Sequence, residues 1–316
     1  MYYTKDGSAI KPRPWHEKAV KMALKGHGAT KIAQKLLGRK SQESTVRDFL
    51  SKLDLTKSEP VMDRLKVLFW DIETSPSVYA TFGIWNQNLG KGGLLRHGGL
   101  LSHAWAWNDG QVYSSVLTPE EAIAGDHSRI VHEMWALLDN ADAVVVQNGV
   151  RFDLRKANAE FIKLGLPPPS PYKVYDTLRV AKKFFFFERN DLDSLCDVLK
   201  VPYRKVKNEG MPLWVKCIQG DQEALNQMQE YNVGDIPTLR AVFKKLLPWD
   251  NQGVNFALMG ENLNGCPNCG ENSLESTGKF TYTNSRKYDH YRCKHCGANA
   301  RATRGEGGLT FTRVTG

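Results

Sequence analysis

The stretch LKVLFWDIET, residues 65–74, changes character halfway along. Apolar residues run almost unbroken to Trp70, and then Asp71, Ile72, Glu73 and Thr74 alternate. A run of that length suits a buried strand. The alternation that follows turns Asp71 and Glu73 to one side and Ile72 to the other. LLSHAWAW (100–107) and QVYSSVL (111–117) read as a hairpin, with Asn-Asp-Gly between them to supply the positive φ of a tight turn. ADAVVVQN (141–148) is a further buried strand. HSRIVHEMWALLD (127–139) and FDLRKANAEFIKLG (152–165) carry helical periodicity, and a long late helix covers 221–247. Hairpin strands followed by strand–helix units predict a mixed sheet flanked by helices, an α/β fold.

The first 60 residues pattern differently. WHEKAVKMALKG, ending at Gly26, and ATKIAQKLLG, ending at Gly38, predict two short helices. STVRDFLSKL predicts a third, capped by Ser44 or Thr45 and burying Val46, Phe49 and Leu50. NQGVNFALMGENLNG (251–265) reads as a linker. The expected organisation is therefore a small all-α domain at 1–60, an α/β domain at 61–250, and a linker with a small cysteine-bearing domain at 251–316.

Charge follows the same division. Residues 1–60 hold 13 Lys/Arg against 6 Asp/Glu, residues 61–250 hold 22 against 23, and residues 251–316 hold 8 against 5. Basic flanks around a near-neutral body predict polyanion-binding attachments, although basic surfaces also serve solubility. No stretch has signal-peptide or membrane-span length, so no membrane association and a reducing cytoplasm are expected. There, the six cysteines are expected to serve as thiols and not as disulfides.

Helix, turn and a third helix starting in Ser, Thr and Arg is the pattern of a helix-turn-helix. GATKIAQKLLGRKSQESTVRDFL resembles the helix-turn-helix of transposases, recombinases and phage regulators. That resemblance implies duplex DNA contacts by Lys31, Lys35, Lys40, Ser44, Thr45 and Arg47. A helical bundle docking a protein partner is the competing reading.

At the other end, Cys266-x2-Cys269-Gly and Cys293-x2-Cys296-Gly form two knuckles. Four thiolates at this spacing predict one structural Zn²⁺ in a zinc ribbon, with a redox pair the weaker reading. Between the knuckles, Lys279, Tyr282, Arg286, Lys287, Tyr291 and Arg292 suit nucleic acid. A zinc-stapled domain making protein contacts fits the same residues. Cys196 and Cys217 fall in apolar helical patterns and read as core.

Asp71 and Glu73 sit about 7 Å apart at their α-carbons. Like charges so placed call for a divalent cation, and hard oxygen ligands suit Mg²⁺ or Mn²⁺. Asp153 follows a buried strand in NGVRFD, Asp176 sits at a second strand–helix corner, and Tyr231 and Asp235 share one helix face in YNVGD. The series D-x-E, N-x-x-x-F-D and Y-x-x-x-D, in that order, resembles the DEDDy 3′–5′ exonucleases of the RNase H-like fold. The likeness is nearest to stand-alone RNase H-like proteins of bacteria and phages, and it covers most of residues 62–249. It implies two Mg²⁺ or Mn²⁺ ions held by Asp71, Glu73, Asp153 and Asp235, with Asp71 bridging, and Tyr231 orienting the attacking water. It implies phosphodiester hydrolysis of nucleic acid, and the helix-turn-helix favours DNA over RNA. A polymerase or other replication or repair protein is the expected protein partner. A regulator built on an inactive nuclease scaffold, and an RNA-trimming exoribonuclease, are the alternatives. Pro237 departs from a regular helix and is expected to kink it near Asp235. Asp176 is expected to be structural, Asn148 to hydrogen-bond the loop, and the Phe184–Phe187 run to pack in the core more readily than to stack bases.

Overall fold

The structure, a computed structural model, describes residues 2–3, 9–10, 13–24, 27–52, 61–83, 85, 87–202, 209–251, 253–262, 264–305 and 308–314. The chain divides into two compact units, Met1–Glu59 and Pro60–Gly316.

In the first unit, α1 (His16–Leu24), α2 (Ala29–Leu37) and α3 (Glu43–Lys52) close around Ala19, Ile32, Ala33, Val46 and Phe49. The His16 ring stacks on Phe49 at 3.8 Å. Gly38, at φ +73°, ends α2 in the left-handed conformation that glycine tolerates best. α3 begins at Glu43 and not at a Ser44 or Thr45 cap. A 3₁₀ turn over Lys40–Gln42 leads straight into it, which places both residues in its first turn. Leu50 is half-buried where full burial was expected. Gly26 and the Glu59–Pro60 boundary lie outside the described residues.

The second unit is built on a five-stranded mixed sheet. Its strands are β1 (Val67–Thr74), β2 (Leu100–Trp107), β3 (Val112–Val116), β4 (Ala143–Val146) and β5 (Lys173–Asp176). The order is β3-β2-β1-β4-β5, antiparallel within β1–β3 and parallel from β1 through β4 to β5. This is the expected α/β architecture and is consistent with an RNase H-like fold. Within the hairpin Asn108 supplies the positive φ expected of Asn-Asp-Gly, at +48°, and Asp109 and Gly110 do not share it.

Each face of the sheet carries its own core. Val67, Phe69, Val145 and Tyr175 point to one, and Leu68, Trp70, Ile72, Val144 and Val146 to the other. On the second face lie α4 (Ser128–Asp139), α5 (Asp153–Lys163) and α8 (Met211–Ile218). On the first lie α6 (Thr177–Phe184) and α7 (Leu192–Leu199). The 25-residue helix α9 (Gln222–Leu246) joins both: Ala224 to Tyr231 enter the second core, and Ile236 to Leu246 the first. Pro237 lies inside α9, which continues through it.

Residues expected to form a linker are part of the first core. α10 (Phe256–Met259) buries Phe256, which meets Phe243 edge-on at 6.2 Å. A four-stranded antiparallel sheet follows, in the order β6 (Leu274–Tyr282), β7 (Lys287–Cys293), β8 (Asn299–Gly305) and β9 (Gly308–Arg313). Among the described residues no helix is long and apolar enough to cross a membrane.

Candidate active site and metal centres

Alternation along β1 creates the acidic site. Val67 and Phe69 sink into the first core, and Asp71 and Glu73 continue the same face where the core ends, both half-buried. α9 brings Asp235, 2% exposed, to the same place. One carboxylate oxygen from each of Asp71, Glu73 and Asp235 lies within 4.8 Å of the others. A hard cation with oxygens at about 2.1–2.4 Å spans oxygens roughly 3–5 Å apart. The trio therefore fits a divalent metal.

Asp153 lies outside that trio but close to it. As first residue of α5 it accepts the Ile72 amide at 3.3 Å and is 4% exposed. The pairing of β1 with β4 covers Val67–Phe69, so the amide of Ile72 lies beyond it and takes a carboxylate instead. Burial, reinforced by the charge of Asp176, pushes the Asp153 carboxyl up to about 7. A cation nearby would hold it ionised.

Asp176 has the structural role expected of it. It caps α6 through the amides of Leu178 and Arg179, and takes the amides of Asn148 at 2.9 Å and Val150 at 3.1 Å. That anchors the loop feeding Asp153 into α5, in which Asn148 adopts φ +61°. The backbone of Asn148, more than its side chain, ties this loop together, since its carbonyl also accepts Arg151 and Phe152.

Tyr231 stands one turn before Asp235 on α9, 9% exposed, with its ring edge-on to Trp214 of α8 at 6.3 Å. The residue beside it was missed from the sequence. Asn232 is fully buried and donates from Nδ2 to Asp71 Oδ2 at 2.7 Å, while its Oδ1 accepts Ser102 Oγ at 3.1 Å. Its position three residues before Asp235 was the available signal.

Of the phenylalanine run, Phe185 and Phe187 stack on each other at 5.1 Å and Phe185 meets Trp249 edge-on at 5.3 Å. Phe186 is fully exposed.

The four cysteines of the knuckles converge. Sγ of Cys266 lies 3.7 Å from that of Cys296, Cys269 lies 3.7 Å from Cys293, and all four are within 4.8 Å. A tetrahedron of sulfurs at about 2.3 Å from zinc has edges of about 3.8 Å, whereas a disulfide needs about 2.05 Å. The cluster thus fits Zn²⁺. Gly270 and Gly297, at φ +80° and +84°, turn their amides back to the carbonyls of Cys266 and Cys293. Cys196 and Cys217 stay apart as core thiols, held up by burial at about 12 and about 11.

Lys31, Lys35, Lys40, Ser44, Thr45 and Arg47 are all exposed in the first unit, and Arg47 is ion-paired with Glu43. On the cysteine-bearing sheet Lys279, Tyr282, Arg286, Lys287 and Arg292 are exposed. Tyr291 is not: it is half-buried and meets Phe311 edge-on at 4.9 Å, so it serves packing.

No protein-family model matches the chain, and no curated protein sequence matches it. Among solved structures it is similar to the family B DNA polymerase from the hyperthermophilic archaeon Pyrobaculum calidifontis, at 16% identity and a TM-score of 0.45. The match covers 64% of this chain and 26% of that one, about a quarter of the polymerase.

Proposed function

We propose that the second unit is a metal-dependent 3′–5′ exonuclease. The observation that carries this reading is the meeting of Asp71 and Glu73, from a strand end, with Asp235, from a helix, beside the buried Asp153. Two divalent ions in such a cage, when bound, stabilise both the attacking and the leaving oxygen of a phosphodiester. Asp71, Glu73 and Asp235 would hold one ion, and Asp153, beside them, would help to hold a second. Tyr231 orients the attacking water by hydrogen bonding, since a phenol is a poor base at neutral pH. Activity is accordingly expected to persist toward alkaline pH. The cysteine cluster holds a structural zinc and supplies no open coordination position.

The reading is tested with 5′-labelled single-stranded DNA, duplex DNA and RNA of one sequence, each incubated with Mg²⁺. Shortening one nucleotide at a time from the 3′ end is expected, fastest on DNA. Internal cuts with no ladder would point to an endonuclease, and shortening of RNA alone to the exoribonuclease alternative.

The first unit is proposed to bind duplex DNA as a helix-turn-helix, with Lys31 and Lys35 on phosphates. Arg47 must leave Glu43 to join them. In the full chain, Lys31→Glu with Lys35→Glu is expected to weaken duplex binding by about 10-fold or more at low salt. The salt slope should also flatten by roughly one per lost contact. Fluorescence anisotropy across a salt series checks this, and unchanged affinity would favour the protein-docking alternative.

A further inference from the structure

Ser102 lies on β2 directly opposite Glu73 of β1, and its hydroxyl reaches across to Asn232 of α9. Asn232 in turn reaches Asp71. Ser102 and Asn232 are both fully buried, so water cannot substitute for either partner. The direction of this chain is fixed by chemistry. An ionised carboxylate only accepts, so the amide nitrogen of Asn232 must face Asp71, and its oxygen must face a donor. The Ser102 hydroxyl is that donor. An isolated Asn can turn its amide over, but this one is locked at both ends.

The lock matters because three acids converge here. The terminal torsion of an aspartate is broad, and like charges within 4.8 Å favour turning away from one another. Asn232 holds the carboxylate plane of Asp71 against that tendency. Because it lies three residues before Asp235 on α9, one helical turn supplies both an acid of the cluster and the donor that aims another.

We infer that Asn232, anchored by Ser102, is a positioning residue that presents Asp71 to the divalent metal. The inference rests on reading Asp71 as a metal ligand, and its test separates the two. The probe is Mn²⁺ alone, titrated into the full chain with its cysteine-bound metal in place and followed by electron paramagnetic resonance. The wild type is compared with Asn232→Ala, with the nearly isosteric Asn232→Leu, and with Ser102→Ala. Circular dichroism and melting verify the fold of each.

Loss of partners that orient a ligand typically weakens metal binding 10- to 100-fold. The expected result is a rise of about 10-fold or more in the Mn²⁺ needed for half-saturation in either Asn232 variant. Ser102→Ala should give a smaller rise in the same direction. The Mg²⁺ required for half-maximal nucleotide release should shift in parallel while the substrate KM holds. A purely structural Asn232 would lower the melting temperature and leave the Mn²⁺ affinity of the folded variants unchanged, and that overturns the inference alone. A wild type that binds no Mn²⁺ at millimolar concentration overturns the metal reading, and this inference with it.

Discussion

Asp153→Asn is expected to stabilise the metal-free protein at neutral pH while reducing nucleotide release by about 100-fold or more. The two effects share one cause. Asp153 is 4% exposed beside Asp176, and burial raises its carboxyl from the ordinary range to about 7. Its folded pKa therefore exceeds its unfolded value near 3.9, so between about pH 4 and 7 the native state binds more protons than the unfolded state. Stability falls as pH rises through that window, and the loss stays in place above it. A three-unit rise corresponds to about 4 kcal/mol at most. Asparagine keeps an oxygen for the Ile72 amide without the charge. In protein dialysed free of Mg²⁺ and Mn²⁺ with its cysteine-bound metal retained, melts at pH 5 and pH 8 are expected to show the variant gaining about 5–10 °C on the wild type between the two. Mn²⁺ added at pH 8 should raise the wild type selectively. Parallel pH profiles for the two proteins would mean that Asp153 ionises freely, and the buried-acid account would fail.

The second large effect concerns the cysteine cluster. Cys266, Cys269 and Cys293 lie in the same core as Phe69, Phe243 and Phe256, so the cluster is built into the second unit. Polar ties reinforce this. Arg313 of β9, its side chain 6% exposed, donates to Asn268 Oδ1 at 2.9 Å and to the Pro267 carbonyl at 2.7 Å, with Asp250 3.7 Å away. Asn268, inside the first knuckle, donates to the carbonyls of Leu247 and Asp250 just past the end of α9. The helix that carries Asp235 is thus held at its far end by the knuckle. Structural zinc contributes about 10–16 kcal/mol in small zinc-finger peptides near neutral pH, and much of that is folding free energy. Cys269→Ser, or chelation at elevated temperature, is expected to cost the second unit several kcal/mol and to lower its melting temperature by about 10 °C or more. Nucleotide release should fall with it. Differential scanning calorimetry reads this out. An unchanged melting transition with bound zinc lost would show that the core stands without the cluster.

Much of this was legible in the order of residues because it rests on periodicity. The switch at Trp70 from an apolar run to alternation already separates Asp71 and Glu73 from Ile72, and the sheet keeps that separation. The cysteine spacing likewise needs little beyond the chain itself. What stayed hidden depends on partners distant in sequence. Asn232 sits between Tyr231 and Asp235 and looks like filler until Ser102, 130 residues away, and Asp71, 161 residues away, arrive beside it. Ser102 is one residue of the strand LLSHAWAW, with nothing in its own neighbourhood to single it out. The 251–265 segment is rich in Asn and Gly, which masks α10; Phe256 has value only because Phe243 meets it. The start of α3 moved because a 3₁₀ turn occupies Lys40–Gln42, a choice that propensity alone does not settle.

The central claim is that the acids of β1 and α9 hydrolyse phosphodiesters from a 3′ end. Its most direct test measures mononucleotide release from a 3′-labelled single strand with Mg²⁺, comparing the wild type with an Asp71→Ala, Glu73→Ala double variant whose fold is verified by circular dichroism. The wild type should release labelled mononucleotide steadily, and the variant at least about 1,000-fold more slowly. Equal release by both, or none by the wild type, would contradict it.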